Sequence, residues 1–166
     1  MRVTLLTLSS IVCAAACANV FAAESKIDLA QLPAGSEAAV KAMFPRAKVK
    51  GAAREEEDKK TVYEITLEEN GLTIDVTVNS EGKIQVVERE IRAQDLPGPV
   101  RAAVEAKYPG ATHKIIERVD RVSDGRATLD FFELLLVTSA KETLEVQVLP
   151  DGKIKQVETK KPGDSD

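Results

Sequence analysis

The sequence predicts an α+β protein built from two tandem repeats, each a short helix packed on a three- to four-stranded antiparallel meander, with the meanders forming a joined sheet. Three observations carry that prediction. The 166-residue chain nearly repeats itself, because Leu32-Pro33, Ala39-Val40, Phe44-Pro45 and Ala47 recur 64 positions later as Leu96-Pro97, Ala103-Val104, Tyr108-Pro109 and Ala111. Tyr63-Glu64-Ile65 then matches Phe132-Glu133-Leu134, and Gly82-Lys83-Ile84 returns as Gly152-Lys153-Ile154, where the offset has grown to 70. A repeat of this kind constrains the architecture before any single residue is interpreted. Within each copy, apolar residues first fall at helical spacing and later alternate with period two, the two patterns of an amphipathic helix and of half-buried strands.

The first residues stand outside the repeat. Arg2 is followed by an apolar stretch from Val3 to Ala18 and then by small residues ending at Ala22-Ala23, the pattern of a secretory signal peptide. The apolar run is about 16 residues long, short of the roughly 20 that a membrane-spanning helix needs. Residues 1–22 are therefore read as a signal peptide cleaved after Ala22, with no stable membrane span. Ala14-Ala15-Ala16-Cys17 offers lipid anchoring at Cys17 as an alternative, although the usual lipobox leucine is missing. Residues 23–31 form an N-terminal extension, 32–92 the first repeat, 93–160 the second, and 161–166 a disordered tail. At roughly 60 residues, either repeat alone would be marginally stable, which favours a shared core or a joined sheet.

Composition narrows the partners. Both cysteines, Cys13 and Cys17, lie in the leader, so the exported domain uses neither disulfides nor thiolate chemistry. The whole chain carries a net charge of −4. Residues 32–91 hold 9 basic and 12 acidic side chains, and residues 96–160 hold 10 of each. No basic face stands ready to neutralise phosphates, which excludes nucleic acid and anionic membrane surfaces as expected targets.

The elements follow in the same order twice. In the first copy Val40, Met43 and Phe44 share a helix face, with Ser36 as its candidate cap; in the second, Val100, Val104 and Tyr108 do, behind Pro97 and Pro99 at a helix start that tolerates a missing amide. Pro45 and Pro109 end the two helices. Lys48 to Arg54 is read as a leading strand. Thr61 to Leu67 and Leu72 to Val78 follow as a hairpin around Asn70-Gly71, whose residues accept the positive φ of a tight turn. After a turn at Ser80 to Gly82 comes Ile84 to Ile91. The second copy repeats the pattern with Thr112 to Val122, Thr128 to Val137, Leu144 to Val148 and Ile154 to Val157, turning at Asp124-Gly125 and Asp151-Gly152.

With these residues in view, the chain resembles the PepSY-like domains grouped with the beta-lactamase inhibitor proteins. The resemblance rests on Leu-Pro, the Ala-Val helix, aromatic-Pro-x-Ala, the aromatic-Glu-aliphatic strand and the closing Gly-Lys-Ile hairpin, and it covers almost the whole exported chain in tandem. It implies an extracytoplasmic, non-enzymatic protein whose joined sheet offers a protein-binding surface, in a family whose relatives restrain peptidases. No inhibitory segment carries over residue by residue.

A candidate contact face emerges where the copies disagree. If Tyr63, Ile65 and Leu67 face the helix, then Val62, Glu64 and Thr66 occupy the opposite face with Thr73, Asp75 and Thr77, an ordinary solvated surface. The corresponding positions of the second copy are Phe131, Glu133, Leu135 and Val137, flanked by Thr143, Glu145 and Gln147. Apolar residues on a supposedly exposed face mark either an interaction site or burial against another segment, such as Glu24 to Gln31.

Other chemistry is sparse. His113 is the sole histidine and is read as solvent-facing; Asp120 and Ser123 near it in sequence do not make a catalytic set. Glu55-Glu56-Glu57-Asp58 reads as a solvated loop and lacks the alternating ligands and glycine of a calcium loop. No catalytic residue, cofactor or metal is expected. The leading expectation is a secreted, non-enzymatic binding module with a protein partner, an inhibitor or regulator of an extracytoplasmic peptidase or hydrolase. The alternatives are a small-ligand or cation-binding envelope protein and a purely structural, self-associating domain.

Overall fold

The computed structural model describes residues 25–57 and 60–161, the side chain of Glu57 excepted. The leader, Cys17, Asp58 and residues 162–166 lie outside the described residues. Among the described residues, nine strands form one sheet: β1 (Ser25–Ile27), β2 (Lys48–Glu57), β3 (Lys60–Glu69), β4 (Leu72–Asn79), β5 (Ile84–Glu90), β6 (Thr112–Ser123), β7 (Arg126–Val137), β8 (Thr143–Val148) and β9 (Ile154–Lys160). They lie side by side in chain order, each antiparallel to the next. Helix α1 (Ser36–Met43) precedes β2, and α2 (Gly98–Lys107) precedes β6. The protein is thus α+β with a single joined sheet. No helix among the described residues is long and apolar enough to cross a membrane.

Local chemistry accounts for the boundaries. Both helices stop at an aromatic in front of a proline, and the two caps are nearly superimposable: Phe44 has φ −126° and ψ 66°, Tyr108 φ −127° and ψ 63°. These angles satisfy the bias that a following proline imposes against the helical region. Asn70-Gly71 turns with φ of 56° and 75°, and Asp124-Gly125 with 50° and 72°, the paired positive angles that suit tight hairpins.

Two expectations are corrected. Ser36 is not a cap: Gly35, at φ 88°, holds that position, while Ser36 begins the helix fully buried and its hydroxyl donates to the Pro33 carbonyl at 2.8 Å. Glu55 to Glu57 of the acidic run are not a loop, because β2 continues through Glu57 and pairs Glu55, Glu56 and Glu57 with Val62, Thr61 and Lys60. The N-terminal extension, to which the sequence assigned no element, contains a strand, with Ser25, Lys26 and Ile27 opposite Arg54, Ala53 and Ala52. A three-residue strand carries too little pattern to be read from sequence alone.

Both helices cover the same face of the sheet. Val40 and Phe44 join Ile65, Leu67, Ile74, Val76, Val78, Ile84 and Val87 in one buried cluster. Val100 and Val104 join Phe132, Leu134, Leu136, Leu144, Val146 and Val148 in a second. Cross-strand partners point to the same side, and Leu67, Ile74, Arg89, Arg118, Phe132 and Val148 are successive partners from β3 to β8. Both clusters therefore lie on one side, separated by a polar seam at β5 and β6. There the Arg89 guanidinium sits 5.4 Å from the centre of the Phe44 ring, and Arg118 donates through Nε to both oxygens of Asp120 at 3.0 and 2.9 Å.

The β6–β7 hairpin breaks the resemblance between the halves. Each of its strands has 12 residues, whereas β2 and β3 have 10, which accounts for part of the growth in offset. A register shift between Val119 and Asp120 changes which residues face the helices, so Leu129 packs on the second cluster. Val122, near the hairpin tip, packs on the first. Part of the first core is thus supplied by the second half of the chain.

Candidate protein-binding face

The face away from the helices is built by the alternate residues of the same strands. Thr66, Asp75, Glu88, Val119 and Phe131 are successive cross-strand partners from β3 to β7. One pleat along, Glu90, Glu117, Glu133, Gln147 and Gln156 run from β5 to β9. A third row holds Ile115, Leu135, Glu145 and Glu158, and a fourth Thr112, Val137, Thr143 and Lys160. Neither helix covers these rows.

All four expected contact residues, Phe131, Glu133, Leu135 and Val137, stand on this face. They differ in exposure. Leu135 and Val137 are half-buried, but Phe131 is only 7% exposed, and its partner Val119 2%. Lys155 lies over Phe131, its Nζ 4.0 Å from the centre of the ring in a cation–π contact. The segment Ser25–Gln31 does not cover these residues, because β1 pairs on β2 at the far edge of the sheet.

The more informative residues come from β4, β5 and β6. Asp75, Glu88, Glu90, Glu117, Glu133 and Glu145 occupy adjoining positions in these rows, and the two central rows carry no lysine or arginine between β4 and β8. Polar neighbours brace parts of the array. The amide of Thr73 donates to Glu90 at 3.1 Å, and Gln147 Nε2 donates to Glu133 Oε2 at 2.9 Å. Burial, then Glu117, Glu133, Asp75 and Glu145, pushes the Glu88 carboxyl up to about 8. Each of these factors disfavours the charged form. Cations stand beside the array: Arg121 pairs with Asp130 at 2.6 Å, and Lys160, its side chain nearly buried, pairs with Glu145. Among the described residues, no three His, Cys, Asp or Glu side chains form a group that would hold a metal ion.

Sequence reasoning missed the acidic array for an identifiable reason. Glu88 and Glu90 alternate on β5, a visible signal, but their meeting with Glu117 depends on the pairing of β5 with β6, across the long connection that holds α2. His113 lies elsewhere, opposite Leu136 and half-buried rather than solvent-facing. On the helix side, a cleft of about 510 Å³ between α1 and the β6–β7 hairpin is lined by Phe44, Arg46, Glu69, Arg89 and Asp120 among others. Its charged groups already have neighbours: Arg46 pairs with Glu69 at 3.2 Å, Asp120 with Arg118 at 2.8 Å, and Arg89 covers Phe44.

No protein-family model matches the chain, and no curated protein matches it. Solved structures do. A DUF2874 family protein from Bacteroides uniformis is 19% identical, with a TM-score of 0.60 over 76% of this chain and 88% of that one. A supposed periplasmic protein from Bacteroides eggerthii is 16% identical, with a TM-score of 0.62 over 77% and 88%. A BLIP-like protein from Bacteroides fragilis is 15% identical, with a TM-score of 0.60 over 81% and 91%. At such identities the likeness concerns the fold, and the chain shares the fold of these proteins.

Proposed function

We propose that this chain is an extracytoplasmic, non-enzymatic binding module that engages a protein through the helix-free face of its sheet and thereby inhibits or regulates a peptidase or hydrolase. Its two halves are read as copies of one PepSY-like module, consistent with the matching helix caps and the repeated helix-then-meander order. The observation that carries the reading is the face itself, where Glu133, Leu135 and Val137 stand together on a surface that neither helix covers. A sheet face of this kind, half apolar and half charged, has the composition of a recognition surface rather than of a core. The neighbours described as BLIP-like and as a supposed periplasmic protein support the same compartment and mode of action.

The test is site-specific photocrosslinking in the exported fraction. A photoreactive residue at Leu135 or Val137 is expected to capture a discrete protein, and the same residue at Ala102, exposed on α2, is not. Equal capture from both faces, or none from the sheet, would refute the proposal.

A further inference from the structure

Resting on that reading, we infer that the partner presents a cationic protein surface: a Lys- or Arg-bearing segment laid on β5, β6 and β7, its charged heads on Glu90, Glu117 and Glu133 and its aliphatic stems on Ile115 and Leu135. Two independent features point to this chemistry. The first is the concentration of charge. Glu90, Glu117 and Glu133 are consecutive cross-strand partners, and Asp75 lies one pleat away on β4. With strands about 4.8 Å apart and alternate residues about 7 Å apart, the patch measures roughly 10 by 7 Å. That is close to one Debye length at physiological salt, so the carboxylates act on one another and on any approaching cation as a group. Like charges directly opposite on a sheet weaken it. A cation-bearing partner removes that repulsion, so association is favoured by more than the new contacts alone.

The second feature is the apolar row beside the acidic one. On β6 and β7, Ile115 and Leu135 are cross-strand partners, and Glu117 and Glu133 are partners two residues further along each strand. Ile115 is 36% exposed. The separation of the two rows, about 7 Å, matches the reach of a lysine or arginine stem, which covers apolar surface while its head seeks charge. A bare metal ion needs no apolar flank. A guanidinium or ammonium on a hydrocarbon stem uses both rows together, and each carboxylate retains acceptor capacity beyond a single hydrogen bond.

Fluorescence anisotropy with labelled nona-arginine, and nona-glutamine as the uncharged comparison, tests the inference on the full chain. Glu117→Gln with Glu133→Gln removes two charges from the face. Glu37→Gln with Glu105→Gln removes the same number from exposed positions on α1 and α2. Nona-arginine is expected to bind the native chain in preference to nona-glutamine, and the face pair should weaken it at least tenfold relative to the helix pair. Raising NaCl from 25 to 150 mM should weaken the native complex and affect the face variant less. Loss of repulsion makes unfolding of the face variant unexpected, and circular dichroism checks it. Equal weakening by the two charge-matched pairs, or equal binding of the two peptides, overturns the inference. Crosslinking separates it from the broader proposal: capture from Leu135 that survives Glu117→Gln with Glu133→Gln would leave a docking face whose partner is not cationic.

Discussion

Asp75 on β4 and Glu88 on β5 are direct cross-strand partners, carboxylate opposite carboxylate, on the face of the sheet away from both helices. Such a pairing opposes folding unless one of the groups keeps its proton. Glu88 does so to about pH 8, against an ordinary value of 4.5. Facing it are Asp75 from β4, Glu117 from β6, Glu133 from β7 and Glu145 from β8, while Arg121 on β6 and Lys155 and Lys160 on β9 pair with Asp130 and Glu145. Between pH 4.5 and 8 the folded chain holds a proton that the unfolded chain has released. The stability from this group is therefore complete below about 4.5 and is lost as pH rises through about 8.

Glu88→Gln removes that dependence. The variant should be slightly affected at pH 4 and more stable than the native chain at pH 9, by about 1 to 3 kcal/mol, since each tenfold change in a protonation equilibrium is worth about 1.4 kcal/mol and a buried site partly relaxes. Urea melts at pH 4, 6, 7.5 and 9 provide the measurement. A difference that does not grow with pH would contradict the raised value.

Two glycines join each half's closing hairpin to its own helix. A side chain at Gly82 would place Cβ 2.5 Å from the Ala34 carbonyl oxygen, and one at Gly152 would place it 2.6 Å from the Pro99 carbonyl oxygen, with φ of 74° and 90°. Both contacts are with backbone, which cannot swing away. Gly82→Ala and Gly152→Ala should each cost about 2 kcal/mol or more, combining the left-handed penalty with displacement of the helix start. Gly125→Ala, at φ 72° with nothing within 4 Å, carries the backbone penalty alone, about 1 kcal/mol. Thermal melts of the three variants test the ranking.

The seam between the two cores yields a third expectation. Asp120 is 4% exposed and its carboxylate is held by Arg118, whose guanidinium is partly in solvent. Arg118→Met strands the buried carboxylate and should cost on the order of 2 kcal/mol, discounted for that exposure. Adding Asp120→Leu should recover most of the loss, since replacing both members removes the unpaired charge. If the double variant is less stable than Arg118→Met alone, the ion pair has a structural role beyond charge balance.

What could be read from the chain was local. Val40 and Phe44 announced a helix face, Ile65 and Leu67 a strand face, and Asn70-Gly71 a hairpin, each within one element. The Gly-Lys-Ile recurrence marked equivalent turns, and the structure places Gly82 and Gly152 against equivalent helix starts. What could not be read was pairing at a distance. Nothing within β5 or β6 states that Glu90 meets Glu117, because strand register across a long connection is set by the whole sheet. The shift at Val119 and Asp120 hides the hairpin tip for the same reason, since alternation alone would put Leu129 on the same side as Phe131. Phe131 was legible as a residue off the helix face, with burial as one of its two readings, but its neighbour Lys155 could not be named because it comes from another hairpin.

The alternation on β7 can be tested directly, and it decides whether the contact face can be mutated without unfolding the protein. Leu134 is fully buried between the sheet and α2's cluster, while Leu135, next in sequence, points to the opposite side and is half-buried beside Glu145. Leu134→Ala should cost about 3 kcal/mol, the transfer of a buried leucine plus the cavity it leaves. Leu135→Ala should cost less than about 1.5 kcal/mol, because less of the side chain is removed from water and solvent fills the space. Leu135→Glu should still fold, although it adds a carboxylate near Glu133 and Glu145 and should lose stability as pH rises above the carboxylate range. Leu134→Glu should not fold, since a buried charge without a partner costs more than a small domain has in reserve. Similar losses from Leu134→Ala and Leu135→Ala would mean that the helix-free face is covered in the folded protein, and the docking surface proposed for it would fall with that result.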